Sequence, residues 1–213
     1  MSGRNRTSPL RSGFDYQDLW VLKFCGDWLN TPNSYEWINF ETSPDEINSG
    51  YFYLDDILIR DTENKYELYQ IKHRQNTANL WTWDDFLEKL PDAKQSLILK
   101  WYESFSRPEL NDKIKIAAFI TNGSPAPEVA TYLIQGKLDI DLLAQNLPDI
   151  FNKIRQLLFA DETAARKFFR EFEFRFDGKD IYAFEQKVRA YFYKELSATK
   201  GGVDNLILQI QKG

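Results

Sequence analysis

Two β-rich runs joined by a polar hinge place the tightest constraint on this chain. YFYLDDILIR (51–60) and KYELYQIKHR (65–74) flank the hinge DTEN (61–64). Aromatic and branched residues dominate both runs, and a hinge this short joins them as a hairpin. The first run carries Asp55 and Asp56, the second Gln70 and Lys72. Residues two apart in a strand share a face, so Gln70 and Lys72 point the same way. Asp55 and Asp56 alternate, so only one of them shares that face. The choice falls on Asp56, which leaves Ile57 and Ile59 on the opposite face; Asp55 is then a solvated or turn residue. Adjacent acids in an apolar strand are costly unless paired or metal-bound.

A carboxylate, an amide oxygen and a lysine at one sheet edge form the donor set of a phosphoryl-transfer site. Mg2+ or Mn2+ takes oxygen ligands, with one or two protein carboxylates and room left for water and phosphate. A lysine beside the cation orients the nucleophile and stabilises developing negative charge. The bare pattern Asp/Glu/Gln-x-Lys is unspecific, since it occurs six times, ending at Lys65, Lys72, Lys94, Lys137, Lys179 and Lys187. Context separates them. Lys65 borders the hinge, Lys94, Lys137 and Lys187 fall in stretches with helical patterning, and Lys179 follows a Gly turn. Only Gln70-Ile71-Lys72 lies within a strand that follows another strand bearing paired acids.

The rest of the chain builds outward from this hairpin. Residues 1–12 read as a flexible leader, in which Arg4, Arg6 and Arg11 meet no acid before Asp15. Two readings stand for it, a basic DNA-contacting patch or a solvated tail. Tyr16, Trp20, Phe24 and Trp28 recur every four residues, which predicts an amphipathic helix begun near Asp15, with Gln17 in its first turn. YEWINFE (35–41) alternates as a strand ending at Glu41, either a further ligand or an exposed strand-end acid. Thr82 and Asp85 fit a capping box opening a long helix through Trp101. KIKIAAFIT (113–121) is a fourth strand, followed by a helix near 127–135. Helices over 139–159, 161–170 and 180–197 follow, interrupted by the alternating EFEFRFD (171–177) and closed by the apolar LILQIQ after Gly201 and Gly202. The pattern is an α/β core in the order αβββαβ over 13–136, a mixed central sheet flanked by helices, with a mainly helical extension over 137–213.

Composition narrows the chemistry further. A net charge of −5 argues against a general nucleic-acid coat but not against a nuclease, whose metal site gathers acids. His73 is the only histidine and Cys25 the only cysteine, which excludes multi-histidine metal chemistry, zinc clusters and an internal disulfide. Alternation sets His73 on the face opposite Lys72, in a structural role. Arg74, next in line, is a candidate phosphate contact. Aromatic residues make up 15% and recur within the helical and strand patterns, so they read as core rather than as a base-stacking surface. No apolar run spans a membrane and no signal peptide opens the chain, so it reads as cytoplasmic.

The order of elements and the acid plus Gln-x-Lys resemble the PD-(D/E)xK nuclease superfamily, the restriction-endonuclease-like fold, in its variant with Gln in place of the second acid. GFDYQ (13–17), Glu41, LDDI (54–57), YQIK (69–72) and FITN (119–122) are similar, more closely, to the double-stranded-DNA nuclease domain of CBASS effectors. Related domains open the antiviral STAND ATPases. The motifs cover roughly residues 11–125. The resemblance implies that Asp56 is the metal-binding acid, that Gln70 is a ligand through its amide oxygen, and that Lys72 is the catalytic lysine. It makes Glu41 and Gln17 accessory, with Asp55 beside them; DNA contact at Lys72, Arg74 and Arg11 is expected from the basic leader and from the place of Arg74 next to Lys72. The resemblance further implies duplex DNA as substrate, a homo-oligomeric active state and a sensor module, fused or separate. No GxxxxGK[ST] occurs in the chain, so the reading is of a nuclease domain from a longer effector or of a stand-alone subunit. Two alternatives remain: a degenerate DNA-binding or interaction module of the same fold, and a phosphodiesterase acting on small nucleotides.

Overall fold

The hairpin forms the heart of a mixed sheet in the computed structural model, which describes residues 9–89, 93–158, 162–177 and 180–210, with side chains from Asp15 to Gln209. β1 (Tyr35–Phe40), β2 (Ile57–Asp61) and β3 (Tyr66–Lys72) pair antiparallel. β4 (Ile114–Thr121) and β7 (Phe172–Phe176) continue parallel to β3, and the short β6 (Lys137–Leu138) and β5 (Leu133–Ile134) close the far edge. The order across the sheet is β1-β2-β3-β4-β7-β6-β5. This is an α/β architecture of the restriction-endonuclease-like kind.

Strand alternation sends side chains into two cores. On one face Leu58, Leu68, Ala117, Phe119, Phe172 and Phe174 meet α2 (Trp83–Leu87), α3 (Leu97–Phe105), α6 (Pro148–Leu158) and α7 (Glu162–Glu171). Trp101 is fully buried there, its ring 4.8 Å from Phe119 and 5.2 Å from Phe172. On the other face Ile57, Ile59, Tyr69, Ile71, Ala118 and Ile120 meet α1 (Pro9–Asn30), α8 (Ile181–Glu195) and α9 (Lys200–Ile210). Most rings therefore serve packing. Among the described residues, no helix is long and apolar enough to cross a membrane.

Several boundaries differ from the sequence expectation. The described part of α1 runs from Pro9, ahead of the expected start near Asp15. Gln17 therefore lies well inside the helix. Arg4 and Arg6 fall outside the described residues, as does the side chain of Arg11, although its backbone is helical. The expected long helix is two, α2 and α3, the second capped afresh by the Ser96 hydroxyl; the Thr82–Asp85 capping box is present. Pro91 stands in the sequence between them, and a helix interior disfavours it.

In place of a helix over 127–135 there is one turn, α4 (Pro127–Ala130), and then the β5–β6 hairpin. Gln135 and Gly136 take positive φ of 52° and 79° there, which sets Lys137 in a two-residue strand rather than a helix. The next helix divides into α5 (Ile140–Asn146) and α6, because Leu147 precedes proline and takes φ −131°, ψ 66°. The alternating Phe run forms β7 and joins the main sheet. Gly201 and Gly202 lie inside α9, where the Gly202 amide donates to Thr199 Oγ1 at 3.2 Å. Lys94 lies in a bend ahead of α3 rather than in a helix, and Lys179 lies outside the described residues.

Candidate active site

Hairpin geometry decides which residues meet. Asp61 closes the hinge, its Oδ1 accepting the amides of Glu63 and Lys65 at 2.9 Å each. Burial alone pushes this carboxyl up, but those amides and the Lys115 ammonium, 3.0 Å away, outweigh it and lower its pKa. The turn fixes the β2–β3 register at Ile57 opposite Tyr69. Asp56, one step earlier, therefore falls beside Gln70.

Asp55 and Asp56 precede the strand instead of lying within it. The segment before them is drawn away because the Tyr53 amide donates to the buried Ser104 hydroxyl at 2.7 Å. Even so, Asp56 Oδ2 accepts the Ile71 amide at 2.6 Å and a bond from Gln70 Nε2. Lys72 Nζ stands 3.8 Å from the same oxygen, its side chain 43% exposed. The Asp56 carbonyl also accepts Gln17 Nε2 at 3.2 Å and the Glu41 amide at 3.4 Å. The structure thus brings Gln17, Glu41, Asp56, Gln70 and Lys72 to one end of the sheet. Glu41 meets Asp56 through its backbone, with φ 51° and an exposed side chain.

The acids here crowd one another. Burial, then the neighbouring Asp56 charge, raise the Asp55 carboxyl. Asp18, absent from the sequence reading, is pushed up to about 6 by burial and then by Asp15 and Glu41. The signal available for Asp18 was its place three residues after Asp15 on one helix face, next to Gln17. A raised carboxylate pKa means the folded chain holds a proton that the unfolded chain has released, so stability falls as pH rises from 3.8 to about 6, and the loss persists above that. Asp18→Asn is therefore expected to raise the melting temperature at pH 8 in EDTA, by a margin that shrinks as pH falls towards 4. Equal margins at both pH values would refute that cause.

Behind the site, β3 and β4 are locked together past their last ladder bonds. Asn122, buried at the end of FITN, accepts the Arg74 amide at 2.6 Å and donates to the Arg74 carbonyl at 2.8 Å. Thr121 Oγ1 accepts Trp81 Nε1 at 3.2 Å and the Gly123 amide at 3.1 Å. A Cβ on Gly123 would lie 2.6 Å from Trp81 Nε1, so this close approach requires glycine. The Arg74 guanidinium lies 3.8 Å from the Trp81 ring centroid and 2.7 Å from Asp85. Its charge is matched at closer range than that of Lys72, whose ion pair with Asp56 spans 3.8 Å. His73 points to the α1 side, its ring 5.3 Å from Tyr16, and burial lowers its pKa against the opposing charge of Asp15.

Among the described residues, no group of three or more His, Cys, Asp or Glu side chains is set around a common metal position. The donors nevertheless suit a hard divalent cation. Asp56 offers a carboxylate, a half-turn of the Gln70 amide presents its Oε1, and Asp55 and Glu41 add negative charge that a cation relieves.

The family described as "Cap4, dsDNA endonuclease domain" matches residues 10–158. No curated protein matches the chain. Among solved structures, the Moraxella osloensis Cap4 SAVED/CARF-domain containing receptor shares the fold, with a TM-score of 0.52 at 16% identity. The likeness covers 94% of this chain and 42% of that one, so the chain spans less than half of the receptor's length.

Proposed function

This chain belongs to the family of Cap4 double-stranded-DNA endonuclease domains, and from that membership we propose that it hydrolyses phosphodiester bonds of duplex DNA with Mg2+ or Mn2+, as the effector domain of a cytoplasmic antiphage defence system. The observation that carries the reading is the meeting of Gln70, the Ile71 amide and Lys72 on a single oxygen of Asp56.

In this reading Asp56, Gln70 through Oε1, and Glu41 hold the cation. When bound, the cation polarises the scissile phosphate and lowers the pKa of the attacking water. The Ile71 amide fixes the Asp56 carboxylate, and Gln17 holds the Asp56 peptide from the other side. Lys72, exposed and near enough to feel Asp56, projects to the phosphate, where its ammonium stabilises the charge that builds on the oxygens. Arg74, balanced by Asp85, positions the end of β3 rather than neutralising DNA. Arg11 joins the reading as a contact offered from α1.

The net charge of −5 opposes DNA binding by an isolated chain, since phosphate neutralisation supplies most non-specific affinity. We infer that activity rises on homo-oligomerisation, which aligns several sites on one duplex, and that a sensor module, fused or separate, drives the assembly. The receptor of similar fold bears such a SAVED/CARF domain in its name. Duplex plasmid incubated with the assembled protein is expected to be cut in Mg2+ or Mn2+, spared in EDTA, and cut again on adding excess metal. Binding without cutting in either metal would replace this reading with that of a degenerate DNA-binding module.

A further inference from the structure

The segment that leads into Asp56 carries a ring pair set among cations, with Tyr51 exposed and Tyr53 half-buried. Tyr51 is 70% exposed, and its ring stacks on Tyr53 with centroids 6.0 Å apart and planes at 17°. Lys94 Nζ stands 5.7 Å from the Tyr51 ring, and Lys100 Nζ stands 5.3 Å from the Tyr53 ring. The Arg107 guanidinium donates to the Tyr51 carbonyl at 2.9 Å. The backbone beneath is fixed. The Tyr53 amide is held by Ser104, and at Gly50, φ +84°, a Cβ would lie 2.7 Å from the Arg107 guanidinium.

Three cations converge on this patch without an ion pair, a lack that Lys65, Lys137 and Lys187 share elsewhere among the described residues. Lys113, Lys115, Lys153 and Arg166 each face a carboxylate. Among the described residues, none pairs with Lys94, Lys100 or Arg107. The nearby Glu103, which lines the same hollow, accepts Gln95 Nε2 at 2.7 Å instead. Unmatched lysines beside these rings fit a phosphate backbone with stackable sugars and bases. The two lysines favour this occupant over a protein partner, in whose interfaces lysine is depleted, although tyrosine and arginine are enriched there. Tyr53 lies three residues before Asp56, so their Cα atoms are at most about 11 Å apart. That is on the order of three base pairs measured along the duplex axis, at roughly 3.4 Å of axial rise each.

We infer that Tyr51, Tyr53, Lys94, Lys100 and Arg107 form a track that holds one strand of the DNA substrate a few nucleotides from the cleavage site. The inference rests on the nuclease reading for its substrate but not for its test. A labelled duplex is titrated by fluorescence anisotropy against the full chain carrying Lys72→Ala, at several salt concentrations. Adding Lys94→Gln with Lys100→Gln is expected to weaken binding about tenfold and to reduce the log–log salt slope by about two. Adding Tyr51→Ala is expected to weaken it at least fivefold with the slope kept, since a stacking contact releases no counterions. These side chains are at the surface, so the melting temperatures stay close to that of the parent.

Affinity within twofold of the parent in both variants overturns the inference, as does a parent that binds no duplex. Lost self-association by sedimentation with DNA affinity intact overturns it too and assigns the patch to a protein partner. A wild-type chain that binds through the patch but never cuts leaves the track standing and defeats the nuclease reading instead.

Discussion

Lys72→Ala is expected to lower plasmid cleavage by at least about 100-fold, the usual loss when a preorganised donor to a developing charge is removed. Folding should barely change. The lysine is 43% exposed and its ion pair with Asp56 spans 3.8 Å, and pairs of that kind contribute about 0–1 kcal/mol. Melting temperature therefore separates a chemical loss from a structural one. Lys72→Arg is expected to leave cleavage low as well, because a planar guanidinium cannot take the place of a compact ammonium beside Asp56 and Gln70. Cleavage by Lys72→Ala within tenfold of wild type would remove the lysine from the mechanism and return the other Lys-bearing motifs to consideration.

Those motifs show what a sequence can and cannot say. Period-2 alternation and a short hinge were enough to locate β2 and β3, and with them the shared face of Gln70 and Lys72. Asp61 makes that reading dependable, since its two amide bonds fix the turn and so the register. The stretch 51–56 was not legible. Phe52 and Leu54 alternate with polar neighbours as in a strand, yet both are buried in the core beneath α3. The partner that draws the chain there, Ser104, lies 51 residues away and has no local signature.

The same limit hid the Asn122 clamp on Arg74, a contact across 48 positions, and the Asp85 carboxylate that faces its guanidinium. Lys137 failed differently. Its local pattern fitted a helix, but a tight turn at Gln135 and Gly136, with the Gly136 carbonyl accepting the Phe174 amide at 2.6 Å, placed it at the sheet edge. Where a hydrogen bond between distant segments outweighs local preference, periodicity misreads the chain. Where the bond lies within the hairpin, periodicity reads it correctly.

Asp56 and Asp55 now differ in ways that a paired substitution can test. Asp56→Asn keeps size and an acceptor for the Ile71 amide, and Gln70 can turn its amide to match, so the fold should hold. What disappears is the charge that holds the cation and faces Lys72. Cleavage is expected to fall at least about 100-fold, with the Mg2+ needed for half-maximal rate rising by more than tenfold. Asp55→Asn removes a carboxyl that is already raised, first by burial and then by repulsion from Asp56. Relieving that repulsion is expected to raise the melting temperature in EDTA. Cleavage should fall by about tenfold, the low end of the loss typical of groups around a metal that do not bind it, since in this reading Asp55 adds charge near the cation without binding it. A Mg2+ titration of the two variants, followed by initial cleavage rates, decides between them. If Asp55→Asn is the inactive variant and Asp56→Asn cuts normally, the cation sits on the other side of the peptide, and the bonds from Gln70 and Ile71 to Asp56 are structural.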